Sequence, residues 1–285
     1  MGISNMLTGQ FPAQEGQTAV VLLSDIDESS RLWGWSRIVK GPRALRAVPG
    51  LVFSKVLGSG HEGGFGLRPS ASRQGLFALF DSAQAAANFV AYSPLVQAYR
   101  DRSREFCWVT LQTWSCRGSW DGHSLEVLAE QPSTGPVAAL TRASIKFSKA
   151  PAFWRHAPPS QNALHSVKGC QLAVGLGEAP FFRQVTFSIW DSVADMNAYA
   201  RSGSHLEAIQ AAAQHGFFSE SMFARFVPVG IKGLWHGKTY ALSPANASRG
   251  GGGRRYSGSG QRTGAGPPRS GCHLGRKCCD PRRKN

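Results

Sequence analysis

Acidic residues are scarce in this chain: 17 Asp and Glu stand against 32 Lys and Arg in 285 residues, a formal net charge of +15. No two carboxylates stand at a spacing suited to paired acid and base work, no HExxH string occurs, and no Ser-His-Asp set is legible. The common hydrolytic chemistries are therefore not indicated. No apolar run approaches the roughly 18 residues of a spanning helix, and the opening segment has neither a basic n-region nor an apolar h-region, so neither a membrane span nor a leader is expected. Cysteine is sparse as well, six in all. Cys107, Cys116 and Cys170 lie in apolar, strand-like contexts and read as buried thiols of a reducing, cytoplasmic compartment. Cys272, His273, Cys278 and Cys279 lack the two-residue separation of a zinc knuckle and any surrounding apolar sequence, so no zinc site is expected there.

The positive charge is uneven. Ten of the bases follow Leu242 against one acid, Asp280, which gives that tail +9 and the remainder +6. Residues 245–285 are rich in Gly, Arg, Ser and Pro and nearly free of aliphatics, a composition that cannot offset chain entropy, so a disordered basic tail is expected. Such a tail can attract nucleic acid or an anionic membrane by charge alone, but no specific nucleic-acid partner is expected. Gly58, Gly60 and Gly63 satisfy GxGxxG after a strand. No helix follows to meet a pyrophosphate, so the string reads as a flexible loop and not as a dinucleotide site.

What the chain does have is repetition. Residues 73–82 read RQGLFALFDS and residues 183–192 read RQVTFSIWDS, a spacing of 110. GLVFSKVLG from Gly50 has a counterpart in GCQLAVGLG from Gly169, Trp35 in Trp154, and GSWDG from Gly118 in GLWHG from Gly233. Repeats of this length mean duplicated domains, because solenoid units are far shorter. Apolar periodicity gives the same order in each copy. The first predicts strand 18–24, helix 27–48 broken near Gly41-Pro42, strands 51–57 and 75–80, helix 82–104 broken at Ser93-Pro94, and strand 108–114. The second predicts strand 137–143, helix 151–167, strands 170–176 and 184–190, helix 192–214 and strand 222–229. The expected fold is α+β: two tandem ferredoxin-like βαββαβ repeats, 17–122 and 136–240, fused as a single-chain dimeric α/β barrel with a cavity between sheets and helices.

Candidate site residues are few. Asp81 and Asp191 each precede Ser at a helix entrance and read as caps. Glu178, after GLG, is either a polar group at the cavity or a loop carboxylate. Arg142, Arg183 and Arg225 lie on strands among apolar neighbours. A buried arginine needs an anionic partner, which is either a ligand carboxylate such as a haem propionate or Glu178 or Asp191. His205, in GSHLEAI, is a candidate metal or haem ligand against the alternative of a capping or surface histidine. His156, His165 and His215 are weaker candidates near turns and helix ends.

The segments SRLW from Ser30, PGLVFSKVLGSG from Pro49, PVAALTRAS from Pro136, FW at Phe153, GLGEAP from Gly175, RQVTFSIW from Arg183 and FARF from Phe223 resemble the spheroidene monooxygenase family, the acyclic-carotenoid 2-ketolases of purple photosynthetic bacteria. The resemblance covers about residues 17–243. It implies an enzyme that inserts oxygen at C-2 of spheroidene-type carotenoids, with O2 as oxidant, a reduced ferredoxin as donor and a haem iron as cofactor. It places Glu178, Gln184 and Trp190 on the catalytic side of the pocket, Arg142 and Arg183 with the haem, and His205 on the iron. The expected location is the cytoplasm, with peripheral contact at the inner membrane because the substrate dissolves in lipid. The competing expectations are a barrel oxygenase or haem-linked enzyme for another small lipophilic substrate, and a haem or lipophile carrier without turnover.

Overall fold

Along β1 (Glu15–Ile26), Ala19, Val21 and Leu23 alternate with Val20 and Leu22, and both sets are buried, so this sheet carries a core on each face. The computed structural model describes residues 15–61, 68–154, 164, 167–179, 182–201, 210 and 214–242. The further strands are β2 (Leu51–Gly60), β3 (Pro69–Ser82), β4 (Ser103–Gly118), β5 (Val137–Ile145), β6 (Cys170–Ala179), β7 (Arg183–Trp190), β8 (Phe218–Trp235) and β9 (Lys238–Leu242). The α-helices whose whole span is described are α1 (Arg31–Lys40), α2 (Ala83–Tyr92), α3 (Pro94–Asp101) and α4 (Val193–Ala200). All pairings are antiparallel and the order is β4-β1-β3-β2-β6-β7-β5-β8-β9. β4 also pairs with β8, so eight strands form a closed ring, and β9 pairs with the end of β8 at Ile231–Trp235.

Two seams join residues 17–122 to 136–240. One is short, Gly58 opposite Gly177 and Ser59 opposite Leu176. The other is long and reads the same from either end, with Gly118 opposite Met222 and Cys107 opposite Gly233. Just beyond each seam end a chain reversal carries two consecutive positive-φ residues, Asp121-Gly122 and His236-Gly237, as the tight hairpin turn requires. Each reversal drops a tryptophan, Trp120 or Trp235, into the apolar interior of the ring. Arg142 lies 5.8 Å from the Trp120 ring and Arg73 5.8 Å from the Trp235 ring.

Breaks expected from sequence fall where glycine and proline sit: α1 ends at Gly41, and α2 gives way to α3 at Ser93-Pro94 with proline in the first turn. The capping aspartates are a correction. Ser82 Oγ accepts from Ala85 N–H at 3.3 Å and Ser192 Oγ from Asp195 N–H at 3.1 Å, so the serines cap α2 and α4. Asp81 accepts instead from the Ser82 hydroxyl, and Asp191 from the Gln171 amide. Gly58 and Gly60 lie inside β2, while Gly63 is outside the described residues. The predicted helices 151–167 and 192–214 are described only in part, and the tail 245–285 lies outside the described residues. Cys107 is buried and its thiol pushed up to about 12 by desolvation; Cys116 and Cys170 are half-buried.

Candidate functional site

Inside the ring, at the Trp120 end, the apolar lining stops at a charged cluster. Arg142 continues the inward row of Ala138 and Leu140, and its residue exposure is 0%. Its guanidinium bonds Glu220, reaches Asp121 at 3.3 Å and stands 3.6 Å from Glu178. Glu178 accepts from Trp120 Nε1–H at 2.7 Å and from Lys55 Nζ at 2.9 Å, and Arg183 approaches it at 3.5 Å. Lys55 also pairs with Asp121. Glu220 takes the Gly122 N–H at 3.0 Å and the Ser119 hydroxyl at 2.9 Å. Burial works to raise the Glu220 pKa, but these bonds and Arg142 outweigh it and bring it down to about 2.

The structure therefore brings Arg142, Glu178 and Arg183 together, and adds Lys55, Asp121, Glu220 and Trp120, which sequence reasoning missed. Of these only Asp121 and Trp120 carried a signal, the repeated Gly-x-Trp string. The question of Arg142's anionic partner is answered by the protein's own carboxylates. Only its Nε lacks a hydrogen-bond partner, so this cluster does not suit the acid groups of a haem.

Gln184 and Trp190 are not there. Along β7 the residues Val185, Phe187 and Ile189 point into the ring, which turns Gln184, Ser188 and Trp190 to the outer face. Trp190 packs with Trp114, Met196 and Leu164, tilts against Tyr199 at 5.3 Å and donates its Nε1–H to Ser188 Oγ at 3.0 Å. Arg225 stands on the same face, its guanidinium 5.5 Å over the Trp114 ring.

This outer face differs sharply from its counterpart. On the first half, Leu22 is flanked across the strands by Leu76 and Trp108, and Ser24 by Gln74 and Phe106. On the second half, the corresponding rows read Thr141 between Thr186 and Phe223, and Ala143 between Gln184 and Ser221. The first set is roofed by apolar side chains of α2 and α3, among them Phe89, Val96 and Tyr99. In the second, Thr141 is exposed and Phe223 is 43% exposed. Leucine and phenylalanine have given way to threonine and serine where packing against a helix layer would otherwise favour bulk.

Buried polar atoms without partners occur on both outer faces, Tyr99 Oη and Gln74 Oε1 on the first half and one tryptophan donor on the second. Trp114 Nε1 is buried with no hydrogen-bond partner, and among the described residues Arg225 forms no salt bridge. Burial, then repulsion from Arg117 and Arg201, lowers the Arg225 pKa. An acidic group would satisfy both. Among the described residues no cluster of three or more His, Cys, Asp and Glu could hold a metal ion. His205, His156 and His165 lie outside the described residues, and His215 contacts the Phe217 ring at 5.3 Å.

No protein-family model matches the chain. Aldoxime dehydratase resembles it in fold, with a TM-score of 0.51 at 9% identity over 75% of this chain and 82% of that one. Spheroidene monooxygenase of Rhodobacter capsulatus is 39% identical over 214 residues, 74% of this chain and 89% of the relative. Spheroidene monooxygenase of Rubrivivax gelatinosus is 56% identical over 225 residues, 79% of this chain and 87% of the relative. At that identity and coverage, the chain belongs to the spheroidene monooxygenase family.

Proposed function

We propose that the chain oxidises C-2 of an acyclic carotenoid of the spheroidene type, using O2 and electrons from a reduced ferredoxin, with a haem held against the outer face of β5, β7 and β8. The observation that carries the reading is the 56% identity across 87% of a relative named for action on spheroidene. Each hydroxylation places one oxygen atom of O2 in a C–H bond and reduces the other to water with two electrons and two protons. A second hydroxylation at the same carbon gives a geminal diol, which loses water to leave the ketone. A bound haem iron supplies the activation of O2 that side chains cannot.

The chain's own part is to hold and shield. Arg225, aided by Arg117 and Arg201, neutralises the acidic edge of the cofactor, and Trp114 Nε1–H gives it a hydrogen bond. Thr141 and Thr186, paired across β5 and β7, leave depth above the sheet beside Trp190, which is itself buried under Met196 and Tyr199. His205 is the proposed iron ligand. On the same reading residues 17–122 and 136–240 are two ferredoxin-like units fused as a single-chain dimeric α/β barrel. Support comes from the matching strand orders and the end-to-end symmetry of the β4–β8 seam. The first unit is then scaffold, with its outer face filled, and the second carries the cofactor.

Haem titration followed at the Soret band tests this without turnover. Wild type should saturate with one haem per chain. Arg225→Ala should weaken binding about 10- to 100-fold, the worth of a charge-assisted pair in a partly buried setting. His205→Ala should change or abolish the band. No Soret band in wild type, or one indifferent to Arg225, overturns the placement. Ketone formation from spheroidene with O2 uptake and reduced ferredoxin tests the reaction itself, and a band without turnover would leave a carrier.

A further inference from the structure

α1 has two unlike sides. Gly34 is buried against Gln74 and Ile26, and Trp33 meets Tyr99 edge-on at 4.9 Å, so that side packs onto the first half. On the other side Leu32, Trp35 and Val39, spaced i, i+3 and i+7, form one stripe along the helix. They are 87%, 43% and 84% exposed. Two aliphatic side chains this bare, in line with a tryptophan, are not scattered surface residues; they are a continuous apolar strip on a folded element.

Free cations flank one end of the strip. Arg31 at the start of α1 is paired with Glu28, whereas Lys40 at its end and Arg43 and Arg46, in and after the next turn, are exposed. From Ser29 to His61 the sequence has no Asp or Glu. A helix lying flat at a lipid surface needs this composition: an apolar stripe with tryptophan to enter the acyl boundary, and cations beside it to meet lipid phosphates.

We propose that α1 and the turn after it dock this protein on an anionic phospholipid bilayer, with Leu32, Trp35 and Val39 inserted and Lys40, Arg43 and Arg46 at the headgroups. An acidic protein partner would be met by the cations but gains nothing specific from a bare aliphatic strip. A bilayer uses both. The surface is on the first half, away from the residues proposed to hold the cofactor, so docking stands or falls independently of the reaction and of the haem.

Vesicle flotation of the full chain tests it, with phosphatidylcholine vesicles and with phosphatidylcholine containing phosphatidylglycerol. The basic tail attracts anionic vesicles in every variant, so the neutral vesicles isolate the strip. Leu32→Ser with Val39→Ser should lower partition about 100-fold on both vesicle types, the loss of two inserted aliphatic side chains. Arg43→Gln with Arg46→Gln should lower it about 30-fold on anionic vesicles and leave neutral vesicles unchanged. Brominated lipid should quench wild-type emission more than that of Trp35→Phe. Both double variants replace exposed residues, so unchanged thermal melts will show that they fold. Partition indifferent to the Leu32 and Val39 changes overturns the proposal and assigns binding to the tail. A wild-type dimer that the Leu32 and Val39 changes split, with no flotation of either, overturns it in favour of self-association.

Discussion

Arg142→Ala should cost about 3–5 kcal/mol of stability, the usual consequence of removing one partner from a buried ionic cluster. The residue is fully buried, and its removal leaves Glu178, Glu220 and Asp121 facing one another with Lys55 and Arg183 as the remaining cations. Lys55 bonds two of these carboxylates, and among the described residues Glu220 has its salt bridge with Arg142. In a domain of this size the loss corresponds to a fall in Tm of about 10 °C, read by thermal or urea melts. The origin of the loss has its own signature. Arg142→Met combined with Glu220→Gln removes one carboxylate along with the cation, leaving Glu178 and Asp121 balanced by Lys55 and Arg183, and should recover most of the stability. A double variant no better than Arg142→Ala would mean that packing of the guanidinium against Trp120, and not charge, was lost.

The same cluster sets a pH dependence. Glu220 ionises at about 2 in the folded protein against an ordinary value of 4.5, so its stabilising contribution is complete above the ordinary value and lost as pH falls through the interval toward 2. The sign follows because protonation must displace the bonds from Gly122, Ser119 and Arg142. Glu220→Gln should flatten that acid limb in melts between about pH 5 and 2 while leaving the neutral-pH form folded.

Strand order and the break points of α1, α2 and α3 were legible in the sequence because periodicity and proline act locally. One error came from local reading as well: Asp81 and Asp191 read as caps, but serine caps helices equally, and one step of register decides which side chain meets the free N–H groups. Trp190 and Arg142 were expected at one pocket because both lie in segments that carry the family resemblance. Strand alternation sends them to opposite faces, and only the pairing of β5 with β7 reveals that. The Arg142 cluster itself joins residues from β2, the turn after β4, β5, β6, β7 and β8, and no spacing in the sequence encodes such a meeting. β9 was missed because five residues after a tight turn carry too little pattern. The asymmetry of the outer faces was the opposite case. RQGLFALFDS against RQVTFSIWDS already exchanges Leu76 for Thr186 and Ala78 for Ser188, apolar side chains for hydroxyls, visible as soon as the faces are known.

Gly233→Ala should be about as damaging as Arg142→Ala, at about 4 kcal/mol or more. Gly233 holds φ +134 and an added Cβ would stand 2.1 Å from Phe106 O and 2.7 Å from Cys107 Cα, both backbone. No side-chain rotation relieves such a contact, so β4 and β8 must part at that end of the seam, where Trp235 is seated in the ring. Gly118 stands at the other end with φ +80 and its added Cβ 2.0 Å from Ser221 O, so Gly118→Ala should cost a similar amount and loosen Trp120 instead. Gly237→Ala is the control: φ +70 with nothing within 4 Å leaves only backbone strain of about 1–2 kcal/mol. Urea melts give the three magnitudes, and amide exchange locates the opening near Phe106 or near Ser221. Near-equal losses at Gly118 and Gly233 are what two copies of one unit, sharing a two-fold seam, require. A mild Gly118→Ala beside a severe Gly233→Ala would show that the seam is symmetric in register but not in energy, with the ring secured at the Trp235 end.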